Sequence, residues 1–263
     1  MKRKLLIVSV VLSVLFVSCL DTEEKIVINP DETGNYNLSL DMSSMLSQLK
    51  AFASQQQEVA KALEQKDTTI YFNAVTDTST QLTAQEKEIL HDGSVHVVVN
   101  EDSNQLKIAF NVPFKSIAQL SYLKQHFPEM IAKIKATDKA LSGDMASSGM
   151  PSMGQAPNPG SLISPASQAY AFSADKNSIS NKLIDKSAFD AILAQDSSMQ
   201  MVKQILPLMG DANYKTILTL PRPVKIFNGN NASVTDDKKT VTFTGTLSEL
   251  FDKPESFDYK VEY

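Results

Sequence analysis

The stretch KIVINPDETGNYNLSLDMSSMLSQL, residues 25–49, sets the pattern on which the fold prediction depends. Apolar and polar residues alternate on both sides of a turn at 29–34, which predicts two half-buried strands in a hairpin. Ser43 or Ser44 then caps a helix, because the apolar residues that follow recur near a period of 3.6. The segment therefore predicts a hairpin that leads directly into an amphipathic helix.

The same order of hairpin, small polar cap and helix returns at residues 95–123, with Ser116 as the cap, and at 232–251, where Ser248 opens a short helix. The spacing of this pattern differs between the three segments. That favours repeated use of a common hairpin arrangement over divergence of a duplicated segment. Hairpins that lead into helices predict an α+β fold, with an antiparallel or mixed sheet and amphipathic helices packed on one face.

Composition divides the chain into two α+β halves, 25–141 and 165–263, which could also form one domain. Between them lies a low-complexity insert, 142–164, which is rich in Gly, Ser, Pro and Met and has no periodicity. Its methionines could bind soft copper(I), but the composition favours a linker. No cofactor is predicted.

The N-terminus predicts a lipoprotein signal peptide over residues 1–18. A basic start precedes the apolar run 5–17, which is shorter than the roughly 20 residues of a membrane-spanning helix. Cys19 follows and is the single cysteine of the chain. With Phe16 in place of the usual Leu, this pattern resembles a bacterial lipobox, which implies lipid on Cys19 and a membrane partner. The alternative is a buried cysteine in an uncleaved helix.

Three acidic residues, Asp21, Glu23 and Glu24, come directly after the cysteine and predict an acidic tether over 19–24. The patch resembles the export signal of surface lipoproteins in the Bacteroidota. That resemblance implies an outer-membrane protein that faces the cell exterior; a periplasm-facing protein with a merely solvated tether is the alternative.

The sequence contains no recognisable catalytic or metal-binding motif, so we predict that the protein is not an enzyme. His91, His96 and His126 do not have the spacing of a zinc site. The tripeptide Asp67-Thr68-Thr69 resembles the O-glycosylation acceptor of the Bacteroidota, which makes Thr68 a candidate acceptor; an ordinary polar loop is the alternative.

Charge argues against a nucleic-acid partner. The chain has 25 Lys and Arg and 30 Asp and Glu, and removal of Lys2, Arg3 and Lys4 with the signal peptide leaves 22 basic residues and a net charge of −8. Nucleic-acid binding needs clustered cations.

Two segments resemble bacterial lipoproteins of the LppM type: the N-P-D-x-x-G turn after the first strand, and LPRPVKIFNGN…DDKKTVTFTGTLSELF near the C-terminus. Arg222 stands where that group has Gly, and Phe243 stands where Trp is common. No general enzymatic activity is attached to the group. We therefore expect a non-catalytic interaction or envelope-associated module. The alternatives are a carrier of an apolar ligand held between sheet and helices, which needs an internal apolar void of roughly a few hundred Å³, or a hydrolase.

Overall fold

The computed structural model describes residues 21–44, 47, 65–100, 102–137, 169–195, 200, 203–204, 206 and 210–263. The predicted signal peptide, Cys19, most of the helix expected after Ser44, and the insert 142–164 lie outside these residues. The predictions for those segments therefore remain predictions.

The described residues form strands and helices that we number in chain order. The strands are β1 Asp21–Ile28, β2 Gly34–Asp41, β3 Lys66–Tyr71, β4 Ser94–Asn100, β5 Gln105–Phe114, β6 Tyr170–Ala174, β7 Ser178–Leu183, β8 Asn213–Thr219, β9 Ile226–Gly229, β10 Ala232–Val234, β11 Thr240–Thr246 and β12 Tyr259–Glu262. The helices are α1 Asn73–Thr76, α2 Ala84–Leu90, α3 Ile117–Thr137, α4 Lys186–Gln195 and α5 Leu247–Asp252, with a 3-10 turn at Pro254–Phe257.

Within the described residues, eight strands form a larger sheet in the order β10-β11-β8-β1-β2-β5-β4-β3, and four form a smaller sheet in the order β6-β7-β12-β9. Neighbouring strands are antiparallel except β1 and β8, which are parallel. The predicted α+β class is confirmed. Three of its strands, β8, β10 and β11, come from the C-terminal half, and the other five, β1 through β5, come from the N-terminal half. Strands from both halves therefore build the larger sheet.

The first hairpin forms as the sequence predicts, with Ile26 opposite Tyr36. The Asp31 carboxylate accepts hydrogen bonds from the backbone N–H of Thr33 at 3.1 Å and from its hydroxyl at 2.7 Å. Gly34 ends the turn, and a Cβ atom there would lie 1.9 Å from the carbonyl oxygen of Val27. The close approach of two strands therefore requires glycine at this position.

The first strand begins four residues earlier than the sequence predicts. Residues 21–24 pair with β2 on one side and with β8 on the other, so the prediction of a tether over 19–24 is wrong for its described part. Thr22 and Glu24 lie on the same buried face as Ile26 and Ile28. The strand starts earlier because backbone hydrogen bonds to β2 and β8 continue along residues 21–24. These bonds do not depend on the side chains, which are polar in this segment.

Helix α3 packs its apolar face on the larger sheet. Ser116 caps it as predicted, because its hydroxyl accepts a hydrogen bond from the Gln119 N–H at 3.2 Å. None of the helices among the described residues has the length and apolar content to cross a membrane. One hydrophobic cluster joins α3 to the larger sheet and to the inner face of the smaller sheet, and its helical members include Leu120, Leu123, Phe127, Met130 and Ile134.

Helix α5 begins near the predicted position, but its cap is Thr246, whereas Ser248 was expected to open the helix. The Thr246 side chain accepts from the Glu249 N–H at 3.3 Å, and the Glu249 carboxylate accepts from the Thr246 N–H at 3.0 Å. This reciprocal pair satisfies two backbone donors that the first turn of a helix otherwise leaves free. Helix α5 and the following 3-10 turn lie beside the smaller sheet, where the Asn181 side chain donates a hydrogen bond to the Phe257 carbonyl at 3.2 Å.

Candidate functional site

A cavity of about 140 Å³ lies between the larger sheet, α3 and the smaller sheet. Its walls come from β1, β2, β8 and β11 on one side, and from α3, α5, β6, β7, β12 and the 3-10 turn on the others. Most of the lining is apolar and includes Leu38, Leu40, Phe127, Phe172, Phe243 and Leu250. A small group of polar side chains interrupts it.

An ion pair forms the polar part of one wall. Lys124 of α3 contacts the Glu24 carboxylate of β1, and the Tyr36 hydroxyl donates a hydrogen bond to the same carboxylate at 3.0 Å. The Glu24 side chain is 11% exposed and that of Lys124 is 18% exposed. Because water reaches neither group freely, each charge depends on the other for its stabilisation.

Burial and the Glu24 carboxylate act on Tyr36 in the same direction. Burial raises the pKa of the Tyr36 phenol well above its ordinary value, and the negative charge of Glu24 with its hydrogen bond raises it further. The Tyr36 ring packs edge-on against Phe127, with 5.3 Å between ring centroids. The phenol is therefore a neutral donor held in a fixed position.

Four tyrosines line the cavity, and three of their hydroxyls have partners. Tyr36 donates to Glu24, Tyr170 donates to the Pro254 carbonyl, and Tyr214 is hydrogen-bonded to Thr22. The remaining hydroxyl, that of Tyr259, is buried and has no hydrogen-bond partner among the described residues. Buried hydroxyls in folded proteins are nearly always hydrogen-bonded, so this exception needs an explanation.

The position of Tyr259 is fixed by its neighbours. Its ring stacks on Phe243 at 4.7 Å between centroids, with 14° between ring planes, and the residue is 7% exposed. Burial raises the pKa of the Tyr259 phenol well above its ordinary value, and the charge of Glu24 raises it further. Ser256 is also a lining residue, and its buried hydroxyl has no hydrogen-bond partner within the described chain.

The three predicted export residues do not form one patch. Asp21 accepts a hydrogen bond from the Asn213 side chain at 2.8 Å, and Glu23 pairs with Lys215 at 3.1 Å, both on the outer face of the strand. Glu24 points to the opposite face and lines the cavity. The export role of these residues remains a prediction, as does the lipidation of Cys19.

The candidate glycosylation site lies on β3, at one edge of the larger sheet. Thr68 is half-buried and shares a face with Ile70, which packs against the core, whereas Thr69 is exposed. Asp67 lies 2.7 Å from the His96 ring across the strand pair. O-glycosylation of Thr68 therefore remains a prediction, at a position whose side chain faces inward.

The histidines lie apart and each contacts an acidic side chain. His91 contacts Asp92 at 2.8 Å, and His126 contacts Glu129 at 3.3 Å. Across the part of the chain that the structure describes, no three His, Cys, Asp or Glu side chains are arranged to hold a metal ion.

The residues that give the cavity its polar character carry little signal in the sequence. The acidic run predicts a tether at Glu24, and no motif includes Lys124 or Tyr259. Side chains along a strand alternate between its two faces. Because Glu24 lies two residues before Ile26, this alternation could have predicted that Glu24 faces the core. Nothing in the sequence marks Tyr259 as a tyrosine without a partner.

Comparison with known proteins gives one weak structural likeness. No protein-family model matches the chain, and no curated protein matches it in sequence. The chain is similar to the folded domain of the Mycobacterium tuberculosis protein LppM, solved by NMR, with a TM-score of 0.33 and 9% identity over 95% of this chain and 92% of that one. At this TM-score the likeness assigns neither a family nor a function.

Proposed function

We propose that this chain is an outer-membrane lipoprotein that binds a small, mostly apolar ligand in the cavity without catalysing a reaction. The observation that carries the proposal is the cavity itself, with its mostly apolar walls. Closely packed protein interiors contain few voids larger than a water molecule. A mostly apolar cavity of this size between three elements therefore supports a binding function.

The volume limits what the cavity can hold. Drug-sized ligands occupy pockets of about 300–1,000 Å³, and the cavity is about 140 Å³. A dry cavity of about 150 Å³ is known to bind benzene. The site therefore suits a molecule of that size or one end of a longer amphiphile.

Binding is tested by titrating the full-length protein, reconstituted in lipid nanodiscs, with toluene. We expect saturable shifts of the Leu38 and Leu40 methyl resonances in NMR spectra, because both side chains line the cavity. Leu38→Phe places a larger side chain in the void and should abolish the saturable shift of Leu40.

Ile108→Phe is the matched control, since Ile108 is buried in the same core but does not line the cavity. It should keep toluene binding at temperatures where circular dichroism shows it folded. Loss of binding in both folded variants, or in neither, would contradict the cavity as the site.

We also propose that lipid on Cys19 anchors the protein, with its folded part at the cell exterior. The support is the lipobox-like sequence before Cys19. Cys19→Ala should abolish metabolic labelling with palmitate, because the thiol is the proposed attachment atom. Protease added to intact cells should digest the wild-type protein. Label retained by the variant would contradict anchoring at Cys19, and protection from protease would place the protein on the periplasmic side.

A second candidate function is a protein-interaction module. Ile226 and Phe227 of β9 are 61% and 44% exposed, and β9 lies at one edge of the smaller sheet. An edge strand with exposed apolar side chains can pair with a strand of another protein. The cavity favours ligand binding as the first candidate.

A further inference from the structure

We infer that the end of the larger sheet at which β1 begins is the membrane-facing surface of the protein, held against the polar headgroup layer of a bilayer by its short connection to Cys19. This inference rests on the proposed anchoring at Cys19, and it names the surface and its partner. The observation that carries it is the start of β1 at Asp21, which leaves Leu20 as the single residue between the sheet and the proposed lipid attachment.

The connection between the anchor and the sheet is too short to act as a tether. From Cys19 to Asp21, a fully extended backbone spans at most about 7 Å. The polar layer on each side of a bilayer is about 5–8 Å thick, because the whole bilayer measures about 40–45 Å and its hydrocarbon core about 30 Å. With the lipid of Cys19 in the membrane, Asp21 therefore lies in the headgroup layer or directly above it.

Asp21 is fixed within the fold. Its strand lies in the interior of the larger sheet, where Asp21 pairs with Asp41 of β2 and with Asn213 of β8. The Asp21 carboxylate also accepts a hydrogen bond from the Asn213 side chain at 2.8 Å. Because β1 is held on both sides, the anchor positions the whole sheet and not only its first residue.

The side chains at this end of the sheet suit a polar layer. The strand pairings place one row of polar residues across β11, β8, β1, β2 and β5, which consists of Thr246, Asn213, Asp21, Asp41 and Lys107. Asp41 and Lys107 form an ion pair at 3.0 Å, and both side chains are partly exposed. Since charged side chains are costly in hydrocarbon, this row fits the headgroup layer and not the bilayer interior.

The next row inward places the cavity near the same surface. Leu40, Thr22, Tyr214 and Gly245 are neighbours across four strands, and all four line the cavity. One residue along a strand advances the chain by about 3.3 Å. The cavity therefore begins directly behind the proposed membrane-facing row.

The test measures how close each end of β5 lies to the lipid headgroups. Gln105 begins the strand at the proposed membrane-facing end, Lys115 directly follows it at the opposite end, and both are exposed. The strand is 10 residues long, so the two positions lie about 33 Å apart. Cys19 is the single cysteine of the chain, and the lipid occupies its thiol. Gln105→Cys and Lys115→Cys therefore each provide one thiol for a fluorescent probe.

Each labelled full-length protein is reconstituted in nanodiscs with and without lipids that carry a nitroxide on the headgroup, which quenches only nearby probes. We expect the probe at Gln105→Cys to lose most of its fluorescence and the probe at Lys115→Cys to keep most of it. Circular dichroism checks that both labelled proteins are folded.

A flexible linker inserted between Leu20 and Asp21 tests the cause. A Gly/Ser linker of about 16 residues adds a span of about 20–24 Å and leaves every residue of β1 in place. It should restore most of the fluorescence of the probe at Gln105→Cys, because the sheet is then free to move away from the membrane.

The outcomes separate this inference from the anchoring on which it rests. If Cys19→Ala keeps its palmitate label, the anchoring fails and the inference fails with it. If the label depends on Cys19 but both probes are quenched equally, or the probe at Lys115→Cys is quenched more, the anchoring stands and the inference is overturned. Quenching at Gln105→Cys that persists after the linker is inserted also overturns it, since the short connection would then not hold this surface in place.

Discussion

Glu24→Ala should lower the free energy of unfolding by about 3 kcal/mol, in the range measured when one partner of a buried ion pair is removed. The variant leaves Lys124 as a mostly buried cation without its carboxylate and takes the acceptor away from the Tyr36 hydroxyl. Both groups then keep the cost of burial and lose the interaction that offset it. Chemical denaturation followed by circular dichroism measures the loss.

Glu23→Ala is the matched control, because Glu23 is the preceding residue on the same strand and pairs with Lys215 on the exposed face. An exposed pair contributes under about 1 kcal/mol. Replacing both partners of the buried pair, in Glu24→Leu with Lys124→Met, should recover much of the lost stability. Equal losses in Glu23→Ala and Glu24→Ala would show that burial of the pair does not matter.

This difference decides how the export hypothesis must be tested. Replacing Asp21, Glu23 and Glu24 together would remove the internal ion pair as well as the predicted signal, so lost export could reflect a destabilised fold. Replacing only Asp21 and Glu23 changes the outer face of β1 and leaves the Glu24 contacts in place. The stability control therefore belongs in any such experiment.

Phe127→Ala should lower the free energy of unfolding by about 3–5 kcal/mol, the usual cost of removing a buried phenyl ring. Phe127 is 1% exposed and lies at the centre of the core, where its ring packs edge-on against both Tyr36 and Phe110 at 5.3 Å. Its loss removes apolar burial and two aromatic contacts, and it enlarges the cavity that Phe127 lines. Denaturant titration gives the size of the effect.

Phe227→Ala is the control for this substitution, because it removes the same ring from an exposed position on β9. We expect a loss of under about 1 kcal/mol, since surface substitutions seldom cost more. A comparable loss in both variants would mean that the effect does not come from burial. A small loss in Phe127→Ala would mean that the neighbouring side chains close the void.

The sequence by itself determined the local elements, because local periodicity and turn chemistry encode them. Alternation around the Asn29–Gly34 turn predicted β1 and β2, and Ser116 predicted the start of α3. Pro221 and Pro223 cannot donate a backbone hydrogen bond to a sheet, and they lie between the end of β8 and the start of β9. The α+β class followed from these elements together.

Only the tertiary structure decided how the elements combine into a site. The parallel pairing of β1 with β8 joins residues about 190 positions apart, and no local pattern specifies such a partner. That pairing holds the acidic residues 21–24 within β1. The Glu24 side chain therefore faces inward, where it forms an ion pair with Lys124. In the sequence, Tyr259 resembles any other residue on the core-facing side of an alternating strand. Its buried hydroxyl has no partner among the described residues, because hydrogen-bond satisfaction depends on which distant groups the fold brings within reach.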